Sequence, residues 1–246
     1  MITVSEPRPG VRLVTLDRPA RRNALDLAGF RALAAAWREA AERAAAAVVT
    51  GVRDFSSGAD LATFSGDVAA AIRGGEPAGD VWADVHHALL RDVVLEIPVV
   101  AAIEGICFGA GMELAGAADI RIAGESAVFA LPEVRHGFMA SGGSVARLPR
   151  QIGYPAAMQV MLTGERFGAE RMREWGFVGE VVPDGTALDR ALDLAGLIAG
   201  HPRGAVRAIK RAVGEGVRGS LADAYEIETR VSAALTAHPE KVTGRP

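Results

Sequence analysis

Cysteine is nearly missing from this chain of 246 residues: Cys107 is the only one. No disulfide can form within the chain, which fits a reducing cytoplasm. Lysine is almost as scarce, with Lys210 and Lys241 the only two, and arginine supplies the remaining positive charge. The formal net charge is -3 and no basic stripe stands out, so a nucleic-acid partner is not expected. A few local arginines can still hold a small anion. Aromatic residues make up 5% of the chain, so alanine, valine and leucine must fill the interior. Uninterrupted apolar runs of membrane length are absent as well. The longest apolar window, residues 97–118, contains Pro98, Glu104 and Glu113, and reads as buried core rather than a membrane span. The first residues, Met1 to Glu6, lack the basic segment and apolar run of a secretory leader, so none is expected. Histidine is sparse and badly spaced for a metal. His86 and His87 are adjacent rather than one helical turn apart, and His136, His201 and His238 are scattered, so no metal site is predicted.

What is present reads as an α/β chain long enough for a full core. Residues 11–16 alternate apolar and polar, as a half-buried strand does. From Asp26, a plausible N-cap, the apolar residues Phe30, Leu33, Ala34, Trp37 and Ala41 recur at helical spacing. Short buried strands are predicted at 47–50, 99–103, 120–122, 127–129 and 180–182. Residues 65–83 are glycine-rich, polar and aperiodic, which predicts a mobile loop, followed by a helix over 84–95. A glycine-rich turn over 105–111 leads into a helix ending near Ala118. After about residue 143 the pattern is mostly helical. Strands alternating with helices, then a helical end, divide the chain into a core over 1–187 and a helical C-terminal region over 188–246.

Two carboxylates sit in unexpectedly apolar surroundings. Glu113 lies within Phe108 to Ala118, a run otherwise of small and apolar residues, and Glu133 follows Val128-Phe129-Ala130-Leu131-Pro132. Removing an ionised carboxylate from water costs several kcal/mol unless something compensates. Two such groups beside glycine-rich turns suggest an acid/base pair next to a hydrogen-bonding pocket. Plainer readings exist: each is also a carboxylate at the start of a helix, where the dipole favours it. Other motifs fail. Gly109-Ala110-Gly111 has Leu114 where a dinucleotide-binding fingerprint needs its third glycine, no phosphate-binding P-loop occurs, and Ser57 and Ser141 lack the glycines of a nucleophile elbow. Cys107 reads as core filler.

Taken in order, several segments resemble the crotonase (enoyl-CoA hydratase/isomerase) superfamily. They are Leu16-Asp17-Arg18-Pro19, Asn23-Ala24-Leu25, residues 47–61, residues 97–114, residues 118–123 and Phe129-Ala130-Leu131-Pro132-Glu133-Val134. The resemblance spans about residues 2–235. It implies a spiral of ββα units with an α-helical C-terminal oligomerisation region, in trimers or dimers of trimers. It implies an acyl-CoA substrate, with coenzyme A part of that substrate and no separate cofactor. It implies an enolate whose oxygen is held by the backbone N–H groups of Ala59 and Ala110. Gly58 would allow the tight turn at the first donor, and Gly109 and Gly111 close approach at the second. Glu113 and Glu133 occupy the two carboxylate positions of the hydratases: Glu113 to take a proton from water, Glu133 to deliver one to the α-carbon. Coenzyme A would contact the backbone at Ala24, Leu25, Asp60, Leu61 and Ala62, with Arg18, Arg21 and Arg22 as phosphate candidates. Asp60 also reads as a plain turn or cap residue.

The chain departs from the family pattern in places. Ala110 replaces the usual glycine, so its methyl could crowd the thioester or resist a positive φ. Ala62 replaces a lysine of some relatives. Ser141 stands where a glycine would help hold the water. Residues 132–143, with Arg147-Leu148-Pro149-Arg150, are similar to the carnitinyl-CoA dehydratase-like branch. The tail after Ala237 is short and unlike the last helix of many relatives. Three functions remain open: a hydratase running in either direction, a Δ3,Δ2-enoyl-CoA isomerase needing one glutamate, and an acyl-CoA binder without activity.

Overall fold

The computed structural model describes residues 1–237, and the short tail noted above lies outside the described residues. Nine strands and ten α-helices are described: β1 (Ile2–Arg8), β2 (Val11–Leu16), α1 (Leu27–Arg43), β3 (Ala46–Gly51), α2 (Phe64–Arg73), α3 (Ala78–Ala88), β4 (Val99–Ile103), β5 (Ile106–Phe108) and α4 (Ala110–Ala117) lead. After them come β6 (Ile120–Gly124), β7 (Val128–Ala130), α5 (Ser144–Gln151), α6 (Tyr154–Thr163), β8 (Phe167–Gly168), α7 (Ala169–Glu174), β9 (Glu180–Val182), α8 (Ala187–Ala199), α9 (Arg203–Gly216) and α10 (Leu221–Ala237). A six-stranded sheet runs β1-β2-β3-β4-β6-β9, and a smaller one runs β5-β7-β8. All neighbours in the large sheet are parallel except β1 and β2. The chain alternates between sheets: β4 enters the large one and β5 the small one, then β6 and β7 repeat the step. That alternation is the expected ββα spiral.

Both faces of the large sheet are covered at its centre, which explains why β3 and β4 are almost wholly apolar. Val48, Val100, Ala102 and Ile122 pack against Ala187, Ala191 and Ala195 of α8. Ala47, Val49, Val99, Ala101 and Ile103 point the other way, into the main core with Phe30, Trp37 and Leu114. The period-two alternation thus feeds two interiors at once. Asp26 caps α1, accepting from the Gly29 N–H at 2.8 Å. Trp37 joins α1 to α3 by donating its indole N–H to the Ala88 carbonyl at 3.0 Å.

The predicted loop over 65–83 is instead helical, formed by α2 and the first part of α3 with Gly74 to Pro77 between them. A sparse apolar stripe is enough: Val68, Val81, Val85 and Ala88 are buried, and Phe64 meets Phe30 and Trp82 edge-on at 5.2 and 6.0 Å. Gly66 and Gly79 face open space and cost only local helix propensity, which tertiary packing overrides. The helix predicted over 84–95 stops at Ala88, because Leu90 adopts a left-handed φ of 50°. Strand β5 lies inside the stretch read as a turn, and β1 had no alternation strong enough to predict it.

The apolar residues Leu192, Ala195, Ile198 and Ala199 of α8, in the region expected to serve oligomerisation, pack against the sheet of their own chain. Apart from Leu197 of α8, the exposed large apolar side chains of these described helices lie further on, at Ile209, Val213, Val217, Leu221 and Tyr225 of α9, α10 and the turn between. Among the described residues, no helix is long and apolar enough to cross a membrane. Ala191→Leu should overpack the seam between α8 and the sheet and destabilise the fold by about 1–3 kcal/mol in urea denaturation. Leu197→Ala, on the exposed side of the same helix, should shift it by about 0.5 kcal/mol or less.

Candidate active site

Asn23 starts the construction. It is buried, with a left-handed φ of 54°, and its side-chain N–H groups donate to the carbonyls of Val52 at 3.2 Å and Asp54 at 2.6 Å. Its Oδ1 accepts from the Arg18 N–H at 2.8 Å. The turn of residues 52–55 is fixed against the start of the chain in this way. Ser56 continues it, donating its hydroxyl to the Asn23 carbonyl and accepting from the Gly58 N–H. Ser56 also pairs with Cys107 in a parallel bridge, and Leu25 with Ala59. Residues 56–59 are therefore tied to β5, directly before α4.

The two backbones meet closely. Gly58 has a φ of 94°, and a Cβ there would stand 2.9 Å from the Phe108 carbonyl oxygen and 3.0 Å from the Ala110 nitrogen. Gly111 is equally confined, its Cβ position lying 2.8 Å from the Ser56 carbonyl oxygen. The left-handed φ falls on Gly109, at 52°, so Ala110 keeps a helical conformation and its methyl causes no backbone strain. Ala110 is the first residue of α4, where a helix leaves its N–H groups free. Among the described residues, neither Ala59 nor Ala110 donates its N–H to another protein group. Both residues line one cavity of about 430 Å³.

Glu113 and Glu133 line the same cavity and are 4% and 8% exposed. Glu113 rises from the first turn of α4; Glu133 sits in a short 3-10 helix, Pro132–His136, that follows β7. Their environments differ. The Glu113 carboxylate accepts from the Ser144 N–H at 3.2 Å and gains support from the Gly142 N–H and from the charges of Arg147 and Arg91. Burial outweighs these and raises its pKa from the ordinary carboxylate value. Glu133 has less support. Its Oε2 is buried without a hydrogen-bond partner among the described residues, and burial plus the neighbouring Glu113 charge push its pKa up to about 7. Near neutrality Glu133 thus holds a proton more readily than an ordinary carboxyl, while Glu113 has donors that favour its anion.

Of the other residues singled out in the sequence, Gly109, Leu61 and Ser141 also line the cavity. Gly58, Ala24, Leu25, Asp60, Ala62 and Arg22 do not; they form the strip behind Ala59, where the Asp60 N–H donates to the Leu25 carbonyl. Arg18 and Arg21 donate to Asp60 at 2.9 and 2.8 Å, holding its carboxyl below the usual range. Both guanidiniums are already engaged there, and Arg22 is the exposed arginine of the three with no ion pair among the described residues. Gly142, beside Ser141, is the glycine that abuts Glu113: a Cβ there would lie 2.5 Å from Oε2. Cys107 is buried and its thiol pKa is raised by that burial, in keeping with core filler. No group of residues suited to a metal occurs among the described residues. Sequence reasoning missed the apolar wall of Phe30, Phe64, Trp82, Val85 and Leu89, since α2 and the first part of α3 were not foreseen.

The chain is similar to known proteins. Residues 6–245 match the enoyl-CoA hydratase/isomerase family. The chain is 40% identical over 205 residues to a mevalonyl-coenzyme A hydratase of Beauveria bassiana, covering 80% of this chain and 73% of that one. It is 36% identical over 235 residues to an enoyl-CoA hydratase of Mycobacterium tuberculosis, covering 92% and 85%. A carnitinyl-CoA dehydratase of Salmonella enteritidis is 35% identical over 201 residues, covering 80% and 74%. The crystal structure of an enoyl-CoA hydratase from Bacillus anthracis superposes with a TM-score of 0.86 at 29% identity, covering 98% of this chain and 93% of that one. With its ββα spiral, its match over nearly the whole length and these relatives, the chain belongs to the enoyl-CoA hydratase/isomerase family of the crotonase superfamily.

Proposed function

We propose that this protein adds water reversibly across the 2,3 double bond of an enoyl-CoA thioester, acting as a hydro-lyase. The observation that carries the reading is two buried carboxylates in one cavity with two undonated backbone N–H groups. An isomerase needs one proton shuttle; a retained second acid in the same cavity favours hydration. The thioester oxygen lies between the N–H groups of Ala59 and Ala110, which stabilise the enolate as its charge grows. Glu113, as carboxylate, takes a proton from water while the water oxygen bonds to C3. Glu133, as the protonated acid, gives its proton to C2, and the enolate collapses to the thioester. Dehydration is the same path reversed, with the protonation states exchanged.

The remainder of the reading concerns ligand and setting. Coenzyme A belongs to the substrate, and no further cofactor is required. Its phosphates lie toward Arg22, and its adenine along the strip of Ala24, Leu25 and residues 60–62. The acyl chain faces the aromatic wall at Phe64 and Trp82. A cytoplasmic setting agrees with a single, buried cysteine. Association as a trimer or a dimer of trimers is supported by the exposed apolar side chains of Ile209, Val213, Val217, Leu221 and Tyr225. Light scattering coupled to gel filtration should give a mass three or six times that of the 25.6 kDa chain.

Glu113→Gln and Glu133→Gln should each lower kcat for crotonyl-CoA hydration by roughly 10²–10⁴-fold, with a far smaller change in KM. Full hydration by either variant would refute the two-acid mechanism. The pH profile follows from the protonation states. Hydration needs Glu113 ionised and Glu133 protonated, so kcat/KM should fall at low pH as Glu113 gains a proton. It should fall again as pH rises through about 7, where Glu133 loses its proton. The two limbs belong to the pair, since the carboxyls interact. A rate still rising well above pH 7 would exclude Glu133 as the acid.

A further inference from the structure

The donors that support Glu113 sit on a segment with little structure of its own. Residues 138–143 belong to no helix or strand, yet Gly142 and Ser144 must aim their N–H groups at the Glu113 carboxylate. Two arginines secure this segment from opposite directions. Arg91, just past α3, donates through Nη1 to the Ser141 carbonyl at 2.8 Å and to His86 Nε2 at 2.8 Å. An arginine can only donate, so His86 Nε2 accepts and its Nδ1 faces Asp92 Oδ2 at 2.9 Å. Asp92 also stands 3.5 Å from Arg91 Nε, so Arg91 is held at both ends.

Arg147 crosses in the other direction. From α5 it donates to the carbonyls of Leu89, at 3.4 Å, and Leu90. Its guanidinium lies under Gly143, where a Cβ would stand 2.6 Å from Nη1. Leu90 adopts the left-handed φ that ends α3, a conformation a leucine holds only when its surroundings compel it. One arginine thus runs from the end of α3 to the segment, and the other from the segment back to the end of α3. Neither lines the cavity, so neither is placed to touch substrate.

We propose that Arg91 and Arg147 form a clasp that positions the catalytic base, holding residues 141–147 against the end of α3 so that Gly142 and Ser144 keep their N–H groups on Glu113. The proposal rests on the reading of Glu113 as the base. The electrostatics agree with the geometry, since both guanidiniums favour the Glu113 anion. The other charged or titratable groups around it are Glu133, which acts against the anion from the 3-10 helix, and His86 and Asp92, which engage Arg91. Arg91 is the better site for a test, because its side chain is 40% exposed whereas Arg147 is largely enclosed.

The test uses Arg91→Gln and Arg91→Lys in the full chain, with the carboxyl carbons of glutamate labelled with ¹³C. In Arg91→Gln the Glu113 midpoint should rise, read by NMR on the free protein. The kcat for hydration should fall about tenfold with KM within about twofold, because a charge-assisted bond to the segment is lost. Arg91→Lys should restore the midpoint by keeping the charge, but only part of kcat, since a lysine does not reproduce the guanidinium fork. If Arg91→Gln lowers the melting temperature while leaving both midpoint and kcat unchanged, the arginine is merely structural and the clasp is refuted. Should Arg91→Gln fail to fold, an unchanged kcat in Arg91→Lys refutes it, and a partial loss supports it. If the wild-type protein hydrates no enoyl-CoA, the proposed reaction fails, while the Glu113 midpoint still decides whether the clasp holds that carboxylate.

Discussion

The architecture of the site depends on one close contact: the backbone of residues 56–59 lying against the start of α4. The contact exists because Ser56 pairs with Cys107 and because Gly58 and Gly111 present no side chain at the approach. Asn23 secures it from behind, by hydrogen bonds to the Arg18 N–H and to two carbonyls of the 52–55 turn. Only with these backbones touching can the amides of Ala59 and Ala110, far apart in sequence, border a common cavity. A backbone donor has no rotamer to lose, and its direction is set by the fold. That explains why the enclosing strands are so heavily constrained while the cavity's apolar wall consists of ordinary side chains.

The two glutamates show how one cavity can keep two carboxyls in different states. Both are buried, so both resist ionisation. What separates them is the supply of donors. Glu113 faces backbone N–H groups and two guanidiniums, whereas Glu133 retains a carboxyl oxygen with no partner among the described residues. The first ionised carboxylate then opposes the second. In the proposed reaction, the acid and base roles would thus come from the neighbours of two chemically identical side chains.

The arginine-rich, lysine-poor composition gains a physical meaning in the folded protein. Arg18 and Arg21 share Asp60 beneath the strip next to Ala59, and Arg91 and Arg147 stitch the segment over Glu113. The planar forks of Arg18, Arg91 and Arg147 each reach several acceptors at once, which a lysine ammonium does with less geometric definition. Two of the three arginines named as phosphate candidates also hold Asp60, next to the turn at Ala59.

Local pattern fixed the strands over 99–103 and 180–182 and the Asp26 cap, since alternation, apolar runs and capping chemistry act over a few residues. It failed over 65–83, where glycines obscured two helices whose stability comes from Val68, Val81 and Val85 reaching the core. It also could not find β5, three residues long and defined by partners elsewhere in the chain. The sequence by itself determined which chemistry was available: two carboxyls in apolar surroundings, glycines where backbones must approach, and a recognisable family order. Tertiary structure alone decided that Gly142, Ser144, Arg91 and Arg147 surround one carboxyl and leave the other poorly solvated. Burial and electrostatic environment are sums over neighbours brought together by folding, and adjacency in the chain does not encode them.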